Sequence, residues 1–127
     1  MIEEGNNMDN SVGQQEDNEL YVLWKSGDKE VALSMAFMYT FNSKTKGWWD
    51  EVTLIVWGPS AKLLATDDEI QGRVSQMIEA GVRVTACIAC AKMYGVVDIL
   101  ENLGIEVKPM GIPLTELLKS GKKVLSV

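Results

Sequence analysis

Val82-Arg83-Val84-Thr85-Ala86-Cys87-Ile88-Ala89-Cys90-Ala91-Lys92 is the stretch whose reading decides the fold of this chain. Its first half is apolar and β-branched apart from Arg83, the composition of a strand. It ends in the only two cysteines of the 127 residues, and a helical pattern follows at once. In a parallel sheet both thiols then stand where strand gives way to helix. That is the carboxyl edge, where open α/β folds place their ligands. A helix start also presents unpaired N–H groups and the positive end of the helix dipole, which favour an anion such as a thiolate.

Working outward, the same alternation recurs. Leu20-Tyr21-Val22-Leu23-Trp24 reads as strand 1, a continuous apolar run bounded by Lys25-Ser26-Gly27-Asp28. Glu30 to Phe41 carries an apolar stripe at helical spacing and reads as helix 1, capped by Ser26 or Asp28. Glu51 to Trp57 is strand 2, broken by Gly58-Pro59-Ser60, with a turn or two of helix at 61–65. Thr66-Asp67-Asp68-Glu69 has the spacing of a capping box with Thr66 as cap, and opens helix 2 to about Ala80. Strand 3 is Val82 to Ala86, and helix 3 runs from Cys87 or Ile88 to about Asn102. Ile105 to Lys108 is strand 4; a short helix opens at Pro113 and ends at Lys119; Val124 to Val127 is strand 5. Alternation of this kind predicts an α/β fold, a five-stranded parallel sheet with helices on both faces and right-handed crossovers.

Composition narrows the function classes. Residues 1–18 carry five acids and no base, while the other 109 carry 13 acids and 12 bases. The first segment, poor in apolar groups, is expected to be an acidic disordered tail, and residues 19–127 a single domain. The nearly neutral domain offers no basic footprint for nucleic acid. No apolar run approaches a membrane span, and the acidic start does not resemble a secretory signal, so a cytoplasmic protein is expected. Histidine is absent, which removes the commonest general base and metal ligand. With one pair of thiolates no resident zinc is expected, and without GxGxxG or GxxxxGK[ST] no nucleotide cofactor.

Cys87-x-x-Cys90 carries the chemistry. Positions i and i+3 share a helix face, so both sulfurs meet in one pocket. Four readings stand side by side: buried small hydrophobes, thiol–disulfide exchange, a metal site shared between chains, and a nucleophilic thiolate that carries sulfur as a persulfide. Lys92 is the nearest cation in sequence. The loops Trp24-Lys25-Ser26-Gly27 and Trp57-Gly58-Pro59-Ser60, with Gly111 after strand 4, open at the same sheet edge. Trp24, Ser26, Gly27, Trp57, Gly58, Lys92 and Gly111 are therefore expected to line the thiol pocket, unless those loops are ordinary βα turns. Trp48-Trp49 reads either as a core cap or as an oligomer contact. Met35, Met38, Met77 and Met93, at helical spacing, read as packing.

Residues 85–96 (TACIACAKMYGV) resemble the DsrE/TusD-like (DsrE/DsrF-like) sulfur-relay family. The tail from Leu100-Glu101-Asn102-Leu103-Gly104 through Pro113-Leu114-Thr115-Glu116-Leu117-Leu118 to Val124 does so too. The resemblance covers residues from about 20 to 127. It implies a three-layer α/β/α sandwich of the DsrEFH-like type, assembled as trimers or hexamers. It also implies a sulfur-accepting cysteine just after strand 3, ahead of a Gly-Val pair: here Cys87, followed by Gly95-Val96. Cys90 is then a resolving or assisting thiol. The function implied is a persulfide carrier between sulfur-donor and sulfur-acceptor proteins or small thiols. A non-catalytic oligomeric binding or scaffold module of the same fold, and a CxxC redox protein, remain as alternatives.

Overall fold

The computed structural model describes residues 18–127; the expected acidic tail falls almost wholly outside them. Five strands form one parallel sheet: β1 (Glu19–Trp24), β2 (Glu51–Val56), β3 (Arg83–Cys87), β4 (Glu106–Lys108) and β5 (Lys123–Ser126), in the order β4-β3-β2-β1-β5. The α/β sandwich expected from the sequence is thus present. The chain steps from β1 to β4 in one direction, then crosses back over the whole sheet to β5. Right-handed crossovers in opposite directions put their helices on opposite faces.

The two faces are covered unequally. Strand residues alternate between them. Leu20, Val22 and Trp24 of β1, Val52, Leu54 and Val56 of β2, and Val84 and Ala86 of β3 enter the main core. That core is closed by α1 (29–45), α2 (Pro59–Thr66), α3 (Asp68–Glu79), α4 (Ile88–Tyr94) and α5 (Val97–Asn102). The other face carries Tyr21, Leu23, Ile55 and Cys87 and is covered by α6 (Gly111–Lys119). None of the nine residues of α6 is fully buried.

Four expectations shift. Helix 1 extends to Thr45 and contains a π-helical turn, Ala32–Ala36. A π turn adds one residue and rotates the following stripe by roughly 100°. Met35 and Met38 consequently face solvent, as does Met93 on α4, whereas Met77 is buried as packing requires. The cap of α3 is Asp67, whose carboxylate accepts from Ile70 N–H at 3.0 Å; Thr66 instead donates to the Lys62 carbonyl and closes α2. Helix 3 is two helices, because Gly95 adopts φ +70 and ends α4 in the left-handed conformation. The last helix starts at Gly111, two residues before Pro113.

Candidate functional site

Cys87 closes β3 in extended conformation and is the cap residue of α4; Cys90 lies in the first turn of that helix. Both thiols are free. They form a small apolar cluster with Ile55 and Met110, against which Tyr21, Leu23, Trp57 and Leu117 pack. Strand alternation explains the placement: Arg83, Thr85 and Cys87 share the α6 face of β3, while Val84 and Ala86 point into the main core. The thiols are almost covered, with 5% and 8% of their residue surfaces exposed.

The Gly58 N–H donates to Cys90 Sγ at 3.2 Å, across 32 residues of sequence. Gly58 has φ +74 and ψ −142, a backbone region open to glycine at little cost. The turn is held from two sides. Ser60 Oγ donates to the Trp24 carbonyl at 2.6 Å and accepts from Trp57 N–H at 3.1 Å, tying the ends of β1 and β2 together. Gly27 lies so near that an added Cβ would sit 3.0 Å from Pro59 Cβ. Burial pushes the Cys90 thiol up from its ordinary range; the Gly58 N–H pulls it down, and the adjoining Cys87 thiol raises it again. The net direction is upward, towards the protonated thiol.

The expected pocket residues divide. Trp57 and Gly58 touch the cysteine cluster. Gly27 supports it through Pro59, and Ser26 accepts from Asp28 N–H at 3.1 Å in the loop that caps α1. Trp24 requires correction. It lies on the opposite face of the sheet, wholly buried and edge-on to Phe37 with ring centroids 4.7 Å apart, because its position on β1 has the parity of Leu20 and Val22. Only its carbonyl serves the site, as the acceptor for Ser60. Lys92 is exposed in the last turn of α4, and Gly111 is exposed at the start of α6, where it is the preceding Met110 that reaches the thiols. Ile55, Met110 and Leu117 lie outside the expected set; strand parity points to Ile55, and nothing local marks the other two. Ser60 belongs to the expected Trp57-Gly58-Pro59-Ser60 loop, but its role as the tie between β1 and β2 depends on the fold. Among the described residues no group of three or more cysteines and carboxylates stands together to hold a metal ion.

The arrangement is a pair of thiols in an apolar, water-poor pocket, with one N–H directed at the sulfur of Cys90. Comparison with known structures places this geometry in context. The chain is similar to the conserved protein BT1422 of Bacteroides thetaiotaomicron, of unknown function, with TM-score 0.87 and 42% identity over 89% of this chain and 97% of that one. It shares its fold with protein MTH1491 of Methanobacterium thermoautotrophicum, also of unknown function (TM-score 0.64, 18% identity, 86% and 97% covered). The YchN protein of E. coli has the same fold (TM-score 0.57, 17% identity, 86% and 97% covered). No curated protein matches. The DsrE/DsrF-like family description matches residues 25–127, which hold every strand but β1, both thiols and the covering helix; the chain belongs to the DsrE/DsrF-like family.

Proposed function

We propose that this chain carries sulfane sulfur as a persulfide on Cys87, with Cys90 as the assisting thiol. The carrying observation is the pair itself: two free thiols side by side at the end of β3, with Cys90 held by the Gly58 N–H and biased to stay protonated. A protonated Cys90 donates its S–H to the neighbouring sulfur and leaves Cys87 as the nucleophile. The Cys87 thiolate attacks the outer sulfur of a donor persulfide R–S–SH; the donor S–S bond breaks, R–S⁻ departs and Cys87 bears S–SH. Attack by an acceptor thiolate on that outer sulfur returns Cys87 to the thiolate. Ile55, Met110 and Trp57 shield the persulfide from water and stray thiols.

Donor and acceptor in this reading are partner proteins or small thiols of the cytoplasm. Homo-oligomeric assembly, as trimer or hexamer, belongs to the same reading. It draws support from the exposed Met35, Met38, Phe41 and Trp48, side chains of the kind enriched at interface cores. Mass spectrometry after incubation with a small persulfide donor tests the chemistry. Wild type gains one sulfur, Cys87→Ser gains none, and Cys90→Ser gains less. Equal loading of Cys87→Ser and wild type would end it. The near-complete cover of both thiols favours a second reading, a binding or scaffold module whose cysteines are core. That reading expects both thiols to resist iodoacetamide in the native protein for as long as it stays folded.

A further inference from the structure

α6 stands off the sheet, and the space between them is a cavity of about 350 Å³, a volume ordinary for small-molecule sites. Its apolar walls are Tyr21, Ile55, Met110 and Leu117. Two observations point to an occupant. Thr85 lines the cavity from β3, only 6% exposed, and its hydroxyl has no hydrogen-bond partner among the described residues. A buried hydroxyl in that state is costly, and a turn about the Thr85 Cα–Cβ bond towards the cavity lets a ligand atom relieve the cost. The second observation is the charge set. Three charged side chains line the cavity: Arg83 from the sheet, Glu116 from α6, and Lys108 at the far end. Lys108 is bridged to Glu106 at 3.5 Å. Arg83 and Glu116 have no ion-pair partner among the described residues, each other included. The cavity therefore presents one unspent positive and one unspent negative group on opposite walls.

We infer that this cavity binds a small zwitterion, an α-amino acid with an extended apolar side chain. Its carboxylate sits between the Arg83 guanidinium and the Thr85 hydroxyl, which are two residues apart on one face of β3, and its ammonium meets Glu116. A simple monoanion would leave Glu116 opposing it, and a simple amine would leave Arg83 opposing it; the zwitterion satisfies both. Its side chain lies along Ile55 and Leu117 towards Met110, which also packs against Cys87 and Cys90. The ligand site thus abuts the thiol pair while standing apart from it.

The test uses the full chain with L-norleucine and L-methionine as probes. Hexanoate and pentylammonium are the controls, each norleucine stripped of one charged group. Binding is read by calorimetry and by amide chemical shifts. The expected result is saturable binding of the amino acids, with shifts at Arg83, Thr85 and Leu117. Both controls bind at least roughly tenfold more weakly, since each forfeits a charge-assisted contact. Arg83→Gln and Glu116→Gln, both at exposed positions that leave the fold intact, each weaken norleucine by about tenfold. Thr85→Val keeps the side-chain shape and weakens it severalfold. Neither probe carries a free thiol, so the outcome is independent of the sulfur-carrying reading. Absence of saturable shifts at these residues with both amino acids at millimolar concentration overturns the inference. Hexanoate binding equal to norleucine, or an unchanged affinity in Glu116→Gln, overturns it equally.

Discussion

Gly58→Ala isolates what one backbone conformation does for the thiol pair. An alanine Cβ at position 58 meets nothing closer than the Lys25 carbonyl at 3.9 Å, so the substitution creates no clash. Its cost is conformational. At φ +74 and ψ −142 a residue with a Cβ is strained by about 1–3 kcal/mol. Against a total stability of roughly 5–15 kcal/mol the protein stays folded. With a urea slope of about 1–3 kcal/mol per molar, the unfolding midpoint falls by roughly 1 M. The chain can shed part of that strain by turning the 57–58 peptide, but the turn withdraws the N–H from Cys90 Sγ. That hydrogen bond holds the Cys90 thiol down against burial, so losing it raises the thiol further. The pH profile of Cys90 alkylation, read by peptide mass spectrometry, then moves to higher pH. Strain and thiol effect trade against each other, so at least one must appear. An unchanged urea midpoint together with an unchanged alkylation profile refutes the account of Gly58.

Folding stability should decline above about pH 9 in wild type. The Cys90 thiol is raised above its ordinary value of 9.0 in the fold, so the unfolded chain releases that proton first and the native state loses ground as pH climbs towards the folded value. Urea midpoints measured across that range should flatten in Cys90→Ala. Asp67 behaves with the opposite sign. Its carboxylate is lowered by the Ile70 N–H and by Lys29, so its contribution is present above the ordinary value of 3.8 and disappears as pH falls through the lowered one; Asp67→Asn should remove that acid-side loss from a thermal melt series. Trp48 is half exposed and tilted over Tyr39 at 5.8 Å, so Trp48→Ser should leave the melting temperature nearly unchanged while shifting the proposed oligomer to smaller species by light scattering; an unaltered mass removes Trp48 from the proposed interface.

Much of the fold was legible because its signals are local. Val52-Thr53-Leu54-Ile55-Val56 and Val82 to Ala86 are β-branched runs that no helix would favour, and the helices between them carry their own caps and glycine stops. What escaped were features with weak local marks. The π turn at Ala32–Ala36 leaves the composition of α1 unchanged yet rotates Met38 into solvent. Gly95 reads as a tolerable helix glycine until its φ of +70 shows that it is a terminus. Asp67 and Thr66 are both good caps, and one residue of phase decided between them.

The sequence by itself determined the alternation of strands and helices, the parity of each strand, and the position of Cys87 at the end of β3, since all three depend on residues within one element. Only the tertiary structure decided which parity faces which layer. Trp24 and Cys87 end neighbouring parts of one sheet edge, yet they lie on opposite faces, because the register sets Trp24 level with Val56 and Ala86, and Cys87 is one residue further along β3. The contact of Gly58 with Cys90 likewise depends on the register of β2 against β3, where Val56 lies beside Ala86. The cavity holding Thr85, Arg83 and Glu116 exists because α6 keeps its distance from the sheet. Packing distances of that kind are set by all the side chains between two elements together, and no single stretch of sequence carries them.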